Sequence, residues 1–271
     1  MKTFCIISDE RAYRTKLPSM FSYVLKKTGI RAHYVPFKVM PEDIASAVHS
    51  LRVLNIDGAN IAVPYKEAVI PYMDVLSEGA NIIQAVNTVT LTENQIKGYN
   101  TNAIGFMDTL EETGFNAPGK SALVFGTGGA SKAIIFILNW LRAGTINVVG
   151  RRLENLETYA AMFGCQTKLL NDVGDNPPQA DIIINTTPVS GRNEAPQLAE
   201  LTGKLAADNC ELVIDLNYDR EYNVWKEMAE RKGIRFVDGL TVLSHSARRT
   251  LMLWTRVDVE PHEFIRALES D

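Results

Sequence analysis

The stretch SALVFGTGGASK, Ser121–Lys132, decides the fold of this 271-residue chain. Ser121–Phe125 is apolar and β-prone, and Ala130–Leu141 has the composition of a long apolar helix. The glycines between them permit a tight turn, and the free N–H groups and positive dipole of the helix start suit a phosphate. The stretch therefore predicts a dinucleotide-binding βα turn, with a purely structural turn as the alternative. The predicted cofactor contacts are Gly126, Thr127, Gly128, Gly129 and Ala130.

The end of the next predicted strand indicates which dinucleotide is bound. An NAD-binding fold places a carboxylate about twenty residues after the glycines, where it bonds the ribose 2′-hydroxyl. This chain has Val149-Gly150-Arg151-Arg152 there, with no adjacent carboxylate. Two guanidinium groups suit a 2′-phosphate, so the sequence predicts NADP, held by Arg151 and Arg152. Solvated cations at a helix start are the alternative interpretation.

Strand and helix patterns alternate on both sides of this turn, which predicts βαβ units and parallel sheets. Before the turn, Pro41–Leu54 has a helical pattern and Ala85–Leu91 a strand pattern. The pattern restarts near Lys120, so we expect an α/β fold of two domains. We expect residues 1–102, to which helices in 241–271 return, to form the first domain and residues 103–240 to form a Rossmann-type NADP-binding domain.

The composition excludes several functional classes. A hydrophobic share of 46% rules out a mainly disordered chain, and a net charge of −4 argues against nucleic-acid binding. The three cysteines lack CxxC spacing and the four histidines do not cluster, so we expect buried thiols and no metal site. No signal sequence and no apolar run of membrane-spanning length is found, and we expect a cytoplasmic protein without membrane partners.

Three polar segments precede the glycine turn. Lys66 follows a strand pattern in NIAVPYKE, Asn87 interrupts the β run AVNTV, and Asn102 ends the polar turn GYNTN. Taken singly, each has a structural explanation, such as a helix cap at Asn100 or Thr101 or a surface charge at Lys66.

Together with the glycine turn, these segments resemble the shikimate dehydrogenase family, whose pattern reads N-V-T-x-P-x-K, A-V-N-T and G-x-N-T-D. The resemblance covers nearly the whole chain. It continues through three further segments: DIIINTTP at Asp181–Pro188, VIDLNY at Val213–Tyr218 and DGL at Asp238–Leu240.

The resemblance implies a cleft between two domains, with NADP on the Rossmann domain and residues 1–102 as the substrate-binding and catalytic domain. It also implies hydride transfer between NADPH and a ring ketone. It places Lys66 and Asn102 as the catalytic pair beside the reacting oxygen. It implies substrate contacts from Thr15, Asn87 and Ser246, and further cofactor contacts from Thr186, Thr187 and Gly239.

The chain departs from the family pattern on the substrate side. Asn102 stands at the family's aspartate and cannot ionise, although it can form hydrogen bonds. The segment Arg14–Pro18 replaces the H-S-x-S-P segment that holds the substrate carboxylate; Thr15 keeps a hydroxyl, and Leu17 does not. Ala62 stands at the threonine of N-V-T. Ser246 stands at a glutamine, or His245 does if the register slips by one.

The sequence therefore predicts an NADP-dependent oxidoreductase acting on 3-dehydroshikimate, shikimate or a related cyclic hydroxy acid, as a monomer or homodimer. One alternative is a catalytically weak NADP-binding regulatory or partner protein on the same fold. Another is an enzyme like methylene-tetrahydrofolate dehydrogenase, with a catalytic lysine.

Overall fold

The computed structural model describes residues 1–173, 177–191, 193–194, 196–205 and 207–269. The chain forms two compact units, one comprising Met1–Gly105 and Leu243–Asp271 and the other Phe106–Val242. It passes from the first unit to the second within helix α4 (Thr101–Thr113) and returns within helix α9 (Gly239–Thr255). The binding role that the sequence analysis gives to each domain stays a prediction.

The remaining helices and the strands alternate along the chain. The strands are β1 (Lys2–Ser8), β2 (Ala32–Lys38), β3 (Gly58–Ile61), β4 (Val75–Leu76), β5 (Thr88–Thr92), β6 (Gln95–Tyr99), β7 (Ala122–Phe125), β8 (Ile146–Gly150), β9 (Gln166–Leu169), β10 (Ile182–Asn185), β11 (Leu212–Asp215) and β12 (Arg235–Asp238). The other α-helices are α1 (Leu17–Lys27), α2 (Ile44–Val53), α3 (Glu78–Ile83), α5 (Gly129–Trp140), α6 (Leu153–Phe163), α7 (Pro196–Lys204), α8 (Val224–Lys232) and α10 (Pro261–Arg266).

The first unit is built on a mixed sheet with the strand order β2-β1-β3-β5-β6-β4. Strand β1 is parallel to β2 and β3, while β5 is antiparallel to β3 and β6. The carboxyl ends of β1, β3 and β6 and the amino end of β5 therefore lie along one edge of the sheet. This edge carries the chain segments that follow Ser8, Ile61 and Tyr99 and the segment that precedes Thr88.

The second unit has an all-parallel sheet with the strand order β12-β11-β10-β7-β8-β9. The chain order reverses at β7, which pairs with β8 on one side and β10 on the other. Ligands of such sheets bind outside the carboxyl ends of the strands at this reversal, and the glycine turn follows β7 there. Mixed α/β structure with one parallel, Rossmann-type sheet confirms the predicted fold class.

The C-terminal segment Leu243–Asp271, with most of α9 and all of α10, belongs to the first unit. The Trp254 ring of α9 stacks on Phe4 of β1 with ring centroids 4.4 Å apart. Its indole Nε1 donates to the Val89 carbonyl oxygen over 2.9 Å. Phe264 of α10 packs edge-on against Phe21. These buried rings fix α9 over the sheet and thereby place Ser246, two turns earlier on the same helix.

The structure corrects several element limits. Pro41–Leu54 is not one helix: Pro41–Asp43 is a 3-10 turn, and α2 ends at Val53. The strand expected at Ala85–Leu91 spans Thr88–Thr92 instead; before it, the Val86 N–H bonds the Lys66 carbonyl oxygen, which lies beyond the end of β3. Sequence patterns missed β4, β9, α3 and α7, which are short or weakly patterned.

Two of the three cysteines are buried as expected, and Cys165 is half-buried; all three are free thiols. Burial raises the pKa of Cys5 to about 12 and that of Cys210 to about 11. No helix in the described part of the chain has the length and hydrophobicity needed to cross a membrane.

Candidate active site

Lys66 lies at the polar edge of the first sheet, just after β3. Its backbone carbonyl oxygen accepts a 2.7 Å hydrogen bond from the Val86 N–H, which ties the lysine to the segment carrying Asn87. The side chain is half-buried, and its ammonium forms no hydrogen bond or ion pair with the residues the structure describes. Burial is the cause that lowers the pKa of Lys66 from 10.5 to about 8. A lysine with this pKa can both donate and accept a proton near neutral pH.

Asn87, Asn102 and Ser246 form one hydrogen-bonded cluster. The Asn87 Nδ2 donates to Asn102 Oδ1 over 2.8 Å, and the Ser246 hydroxyl donates to the same oxygen over 2.8 Å. The family resemblance assigned Asn102 to the catalytic pair and Asn87 and Ser246 to substrate contacts. The structure brings these three side chains together, and their roles stay predictions. Asn87 and Ser246 are buried, whereas Asn102 is half-buried.

Thr88, Thr101 and Thr250 extend this cluster into the core, and sequence reasoning did not single them out as site residues. Thr101 Oγ1 lies 2.8 Å from Thr88 Oγ1 and 2.9 Å from Thr250 Oγ1. Asn60 joins through Nδ2, which lies 3.3 Å from Thr88 Oγ1. The one available signal was the run of polar residues within β-prone sequence, because buried polar groups need partners.

Of the two proposed caps for α4, Asn100 is the one observed. Its Oδ1 accepts from the Ala103 N–H over 3.1 Å, while the Thr101 hydroxyl belongs to the polar cluster. Capping by Asn100 starts α4 so that Thr101 and Asn102 enter the site in its first turn.

Thr15 lies on the segment that follows β1, at the same edge of the sheet as Lys66. The Ser8 hydroxyl donates to the Val63 carbonyl oxygen over 2.6 Å and links these two segments. The half-buried Thr15 accepts from the Leu17 N–H over 3.3 Å through Oγ1. Arg14 is exposed, and Leu17 is buried in the core.

In the second unit, Gly126 makes the turn after β7 possible. Its φ is +114°, and a Cβ atom there would lie 2.3 Å from Thr186 Oγ1. Gly128 differs, because a Cβ atom at this position would meet no atom within 4 Å. The backbone at Gly128 therefore has open space beside it, as a bound phosphate requires.

The helix that follows the glycines is fixed by side chains behind the turn. The Tyr159 hydroxyl donates to the Gly128 carbonyl oxygen over 2.7 Å, and the Ser131 hydroxyl donates to the same oxygen over 2.9 Å. Ser131, which stands at the third glycine position of the motif, thus stabilises the turn from the first turn of α5. Asn155 Nδ2 donates to Thr127 Oγ1 over 3.2 Å. Tyr159 and Asn155, from α6, were not predicted.

Arg151 and Arg152 follow β8, the neighbour of β7, and both are exposed. Neither guanidinium pairs with a carboxylate among the described residues. Backbone pairing of Val149 with Phe125 brings the end of β8 beside the start of the glycine turn. Both cations are therefore available to an anionic ligand held at that turn.

Thr186 and Thr187 follow β10 on the other side of β7. The Thr186 hydroxyl donates to the Phe125 carbonyl oxygen over 2.8 Å, and the Thr187 hydroxyl donates to Asn185 Oδ1 over 2.7 Å. Asn185 in turn donates through Nδ2 to Asp215 Oδ1 over 2.8 Å.

Asp215, which sequence reasoning missed, anchors this edge of the second sheet. Its fully buried carboxylate accepts from Asn185, Ser190, Asn217 and Asn223. This carboxylate therefore holds the loops after β10 and β11 in place.

Gly239 begins α9 with no room for a side chain. A Cβ atom at Gly239 would lie 2.0 Å from the Leu216 carbonyl oxygen, so the DGL segment needs glycine for close packing. Asp238 caps the helix by accepting from the Leu240 N–H over 3.1 Å. The expected cofactor contact of Gly239 stays a prediction. Among the described residues, no three His, Cys, Asp or Glu side chains are grouped to hold a metal ion.

The parallel sheet with its glycine turn in the second unit and the lysine–amide site in the first unit define an α/β protein of the dinucleotide-binding oxidoreductase class. A family model described as the shikimate dehydrogenase substrate binding domain matches residues 12–89. The chain is 34% identical over 246 residues to the NADP(+) shikimate dehydrogenase of Caldanaerobacter subterraneus subsp. tengcongensis, covering 88% of this chain and 86% of that protein. It belongs to the shikimate dehydrogenase family, as the motifs predict.

Other relatives agree. The NADP(+) shikimate dehydrogenase of Desulforamulus reducens is 32% identical over 250 residues, which cover 88% of this chain and 84% of the relative. The crystal structure of shikimate 5-dehydrogenase from Thermus thermophilus, in complex with NADP(H) and shikimate, matches with a TM-score of 0.87 and 26% identity. That match covers 100% of this chain and 99% of the other. All three of these proteins are described as shikimate dehydrogenases, which does not favour the alternative of an enzyme like methylene-tetrahydrofolate dehydrogenase.

Proposed function

We propose that this protein is an NADP-dependent oxidoreductase that interconverts 3-dehydroshikimate and shikimate, or a closely related ring ketone and cyclic hydroxy acid. The observation that carries the proposal is Lys66, a desolvated lysine without a carboxylate partner among the described residues, on the sheet edge that also carries the Asn87–Asn102–Ser246 cluster. Membership in a family whose curated relatives are NADP(+) shikimate dehydrogenases supplies the substrate class.

The second unit fits NADP by its own geometry. The open space at Gly128 and the N–H groups of the first turn of α5 suit the pyrophosphate. The exposed Arg151 and Arg152 suit the 2′-phosphate, because guanidinium groups form paired, charge-assisted bonds to phosphate. Thr186 and Thr187 lie on the other side of β7, at the same edge of the sheet.

When bound, NADPH supplies the hydride that adds to the carbonyl carbon of the ketone. As negative charge develops on the carbonyl oxygen, the Lys66 ammonium stabilises it by a hydrogen bond and then donates a proton to it. The product therefore gains one hydride at carbon and one proton at oxygen. Solvent returns a proton to the neutral lysine. In the reverse direction, neutral Lys66 removes the hydroxyl proton.

Thr15 is the group we assign to the substrate carboxylate. Its Oγ1 already accepts from the Leu17 N–H, which leaves the hydroxyl hydrogen to donate. The neighbouring cations Arg14 and Lys16 add positive charge to this segment. Such an arrangement suits an anionic group at the end of the substrate away from the reacting oxygen.

The test is a turnover assay at 340 nm with 3-dehydroshikimate, shikimate and quinate, each with NADP(H) and NAD(H). Steady, Lys66-dependent turnover with NADP(H) supports the proposal. Tight NADP binding without turnover on any compound overturns it and favours the regulatory alternative. A cytoplasmic location and a monomeric or homodimeric state remain predictions, and light scattering after gel filtration measures the latter.

A further inference from the structure

The orientation of the Asn87 side-chain amide is set by the backbone of α4. The Thr101 N–H, which can only donate, points at Asn87 Oδ1 over 2.6 Å. The oxygen of this amide must therefore face Thr101. Its nitrogen must be the other amide atom, which contacts Asn102 and the Thr101 hydroxyl.

Asn87 in turn sets the orientation of Asn102. Asn87 Nδ2 lies 2.8 Å from the Asn102 side-chain atom, which must therefore be the acceptor Oδ1. Reversing Asn102 would bring two N–H donors face to face at that distance. Ser246 adds to the preference, since its hydroxyl donates to the same oxygen over 2.8 Å. A chain of hydrogen bonds from a backbone N–H thus fixes the Asn102 amide.

This orientation leaves one group of the amide for a ligand. Asn102 Nδ2 has no hydrogen-bond partner among the residues that the structure describes, and Asn102 is half-buried. Asn87, by contrast, uses its Nδ2 on both Thr101 and Asn102. The site consequently has an unused N–H donor at the position where the family pattern has an aspartate.

We propose that Asn102 favours a substrate whose oxygen at the reacting centre only accepts hydrogen bonds, because the Asn102 amide donates to that oxygen. Asn87 is the positioning residue that holds the Asn102 amide in this orientation. The proposal rests on the proposed function. A ketone oxygen has only lone pairs and suits both the Asn102 amide and the Lys66 ammonium. An alcohol also has a hydroxyl hydrogen that needs an acceptor. An aspartate would supply one, whereas the unused Asn102 Nδ2 can only donate and Oδ1 already accepts from Asn87 and Ser246.

The first test measures the Kd of 3-dehydroshikimate and of shikimate at pH 7, without cofactor, by calorimetry. We expect Asn102→Asp to lower the Kd ratio of shikimate to 3-dehydroshikimate by about tenfold, because the carboxylate accepts from the alcohol and repels the ketone oxygen. The matched control is Asn81→Asp, the same substitution at an exposed position of α3, and it should leave the ratio unchanged. A ratio that stays within twofold in Asn102→Asp, or that rises, overturns the proposal.

Asn87→Asp provides a second test through the positioning residue. An aspartate there still accepts from the Thr101 N–H, but it offers an acceptor to Asn102 and so reverses the Asn102 amide. The Kd ratio should then shift in the same direction as in Asn102→Asp. A fall in affinity for both compounds with an unchanged ratio would indicate only a structural role for Asn87, contrary to the proposal.

Side-chain amide NMR tests the orientation without any substrate. In the wild type, the Asn87 NH₂ hydrogens should exchange slowly with solvent and those of Asn102 quickly; Asn87→Asp should slow the Asn102 pair. Slow exchange of the Asn102 pair in the wild type contradicts the orientation. If instead the wild type binds neither compound while the exchange pattern is as expected, the proposed function fails and the orientation stands.

Discussion

The carbonyl oxygen of Lys66 accepts a hydrogen bond from the N–H of Val86 over 2.7 Å, one residue before Asn87. This bond joins the segment after β3 to the segment before β5. It places the lysine backbone next to the segment that carries the amide cluster, although Lys66 and Val86 are distant in sequence. The family motif segments around Lys66 and Asn87 are thus held together by main-chain bonding.

Replacing Lys66 tests its chemical role. We expect Lys66→Ala to lower kcat by roughly 10²–10⁴ and to leave the Kd for NADP nearly unchanged, because the lost group acts on the substrate oxygen. Steady-state kinetics and NADP titration measure the two effects. Lys26→Ala, at an exposed position of α1, is the matched control. If Lys66→Ala retains most of the activity, Lys66 has no catalytic role and is an ordinary surface charge.

The pH dependence should follow Lys66, whose pKa burial lowers to about 8. Ketone reduction needs the ammonium, so its rate should fall as the pH rises through about 8. Alcohol oxidation needs the neutral amine and should rise over the same range. Asn102→Asp should move both profiles to higher pH, since a nearby carboxylate favours the charged lysine. Superimposable profiles of wild type and variant would place Asn102 outside the proton-transfer site.

Burial of the Lys66 ammonium should also cost stability. Between pH 8 and 10.5, the unfolded chain holds a proton that the native state has lost, so the free energy of unfolding should rise with pH across this window. Below about pH 8 the full cost is present. We expect Lys66→Met to raise the free energy of unfolding at pH 7 by about 1–3 kcal/mol. This range is below the full free energy of the pKa shift, because water screens the charge of a half-buried group.

Urea denaturation at pH 7 and at pH 10 measures this effect. The stabilisation by Lys66→Met should be smaller at the higher pH, whereas Lys26→Met should change little at either. An equal effect of Lys66→Met at both values would mean that the ammonium is well solvated in the native state.

The preference for NADP over NAD should depend on Arg151 and Arg152. Neutralising both by alanine should weaken NADP by about 2–3 kcal/mol more than NAD, through lost charge-assisted bonds to the 2′-phosphate. Titration of each cofactor measures the difference, with Arg231→Ala on α8 as an exposed control. An equal loss for the two cofactors would count against the assignment.

Two glycines of the turn should respond differently to alanine. Gly126→Ala should lower stability by about 2–3 kcal/mol, because φ is +114° and the Cβ would lie 2.3 Å from Thr186 Oγ1. Gly128→Ala meets no atom within 4 Å and should leave stability almost unchanged while weakening NADP. Thermal unfolding and cofactor titration separate the effects. Unchanged NADP affinity in Gly128→Ala would show that the pyrophosphate does not bind at this turn.

The sequence by itself determined the local features of this protein. The glycine turn at Gly126–Gly129, the two arginines after the next strand and the alternation of strands and helices are short-range patterns, and each follows from backbone freedom, charge or periodicity. Lys66 and Asn102 could be picked out because they follow β-prone runs, and Asn87 because it interrupts one; the family resemblance joined the three.

Only the tertiary structure decided how these groups act. No sequence pattern shows that Asn60, Thr88 and Thr250 line the same polar cluster, or that Asp215 accepts from four side-chain donors. These contacts depend on strand order and on the return of α9. The low pKa of Lys66 comes from burial, which is a property of the whole unit. The direction of the Asn102 amide depends on one backbone N–H, that of Thr101, acting through Asn87. Desolvation and hydrogen-bond direction are set by three-dimensional surroundings, and a linear sequence does not contain them.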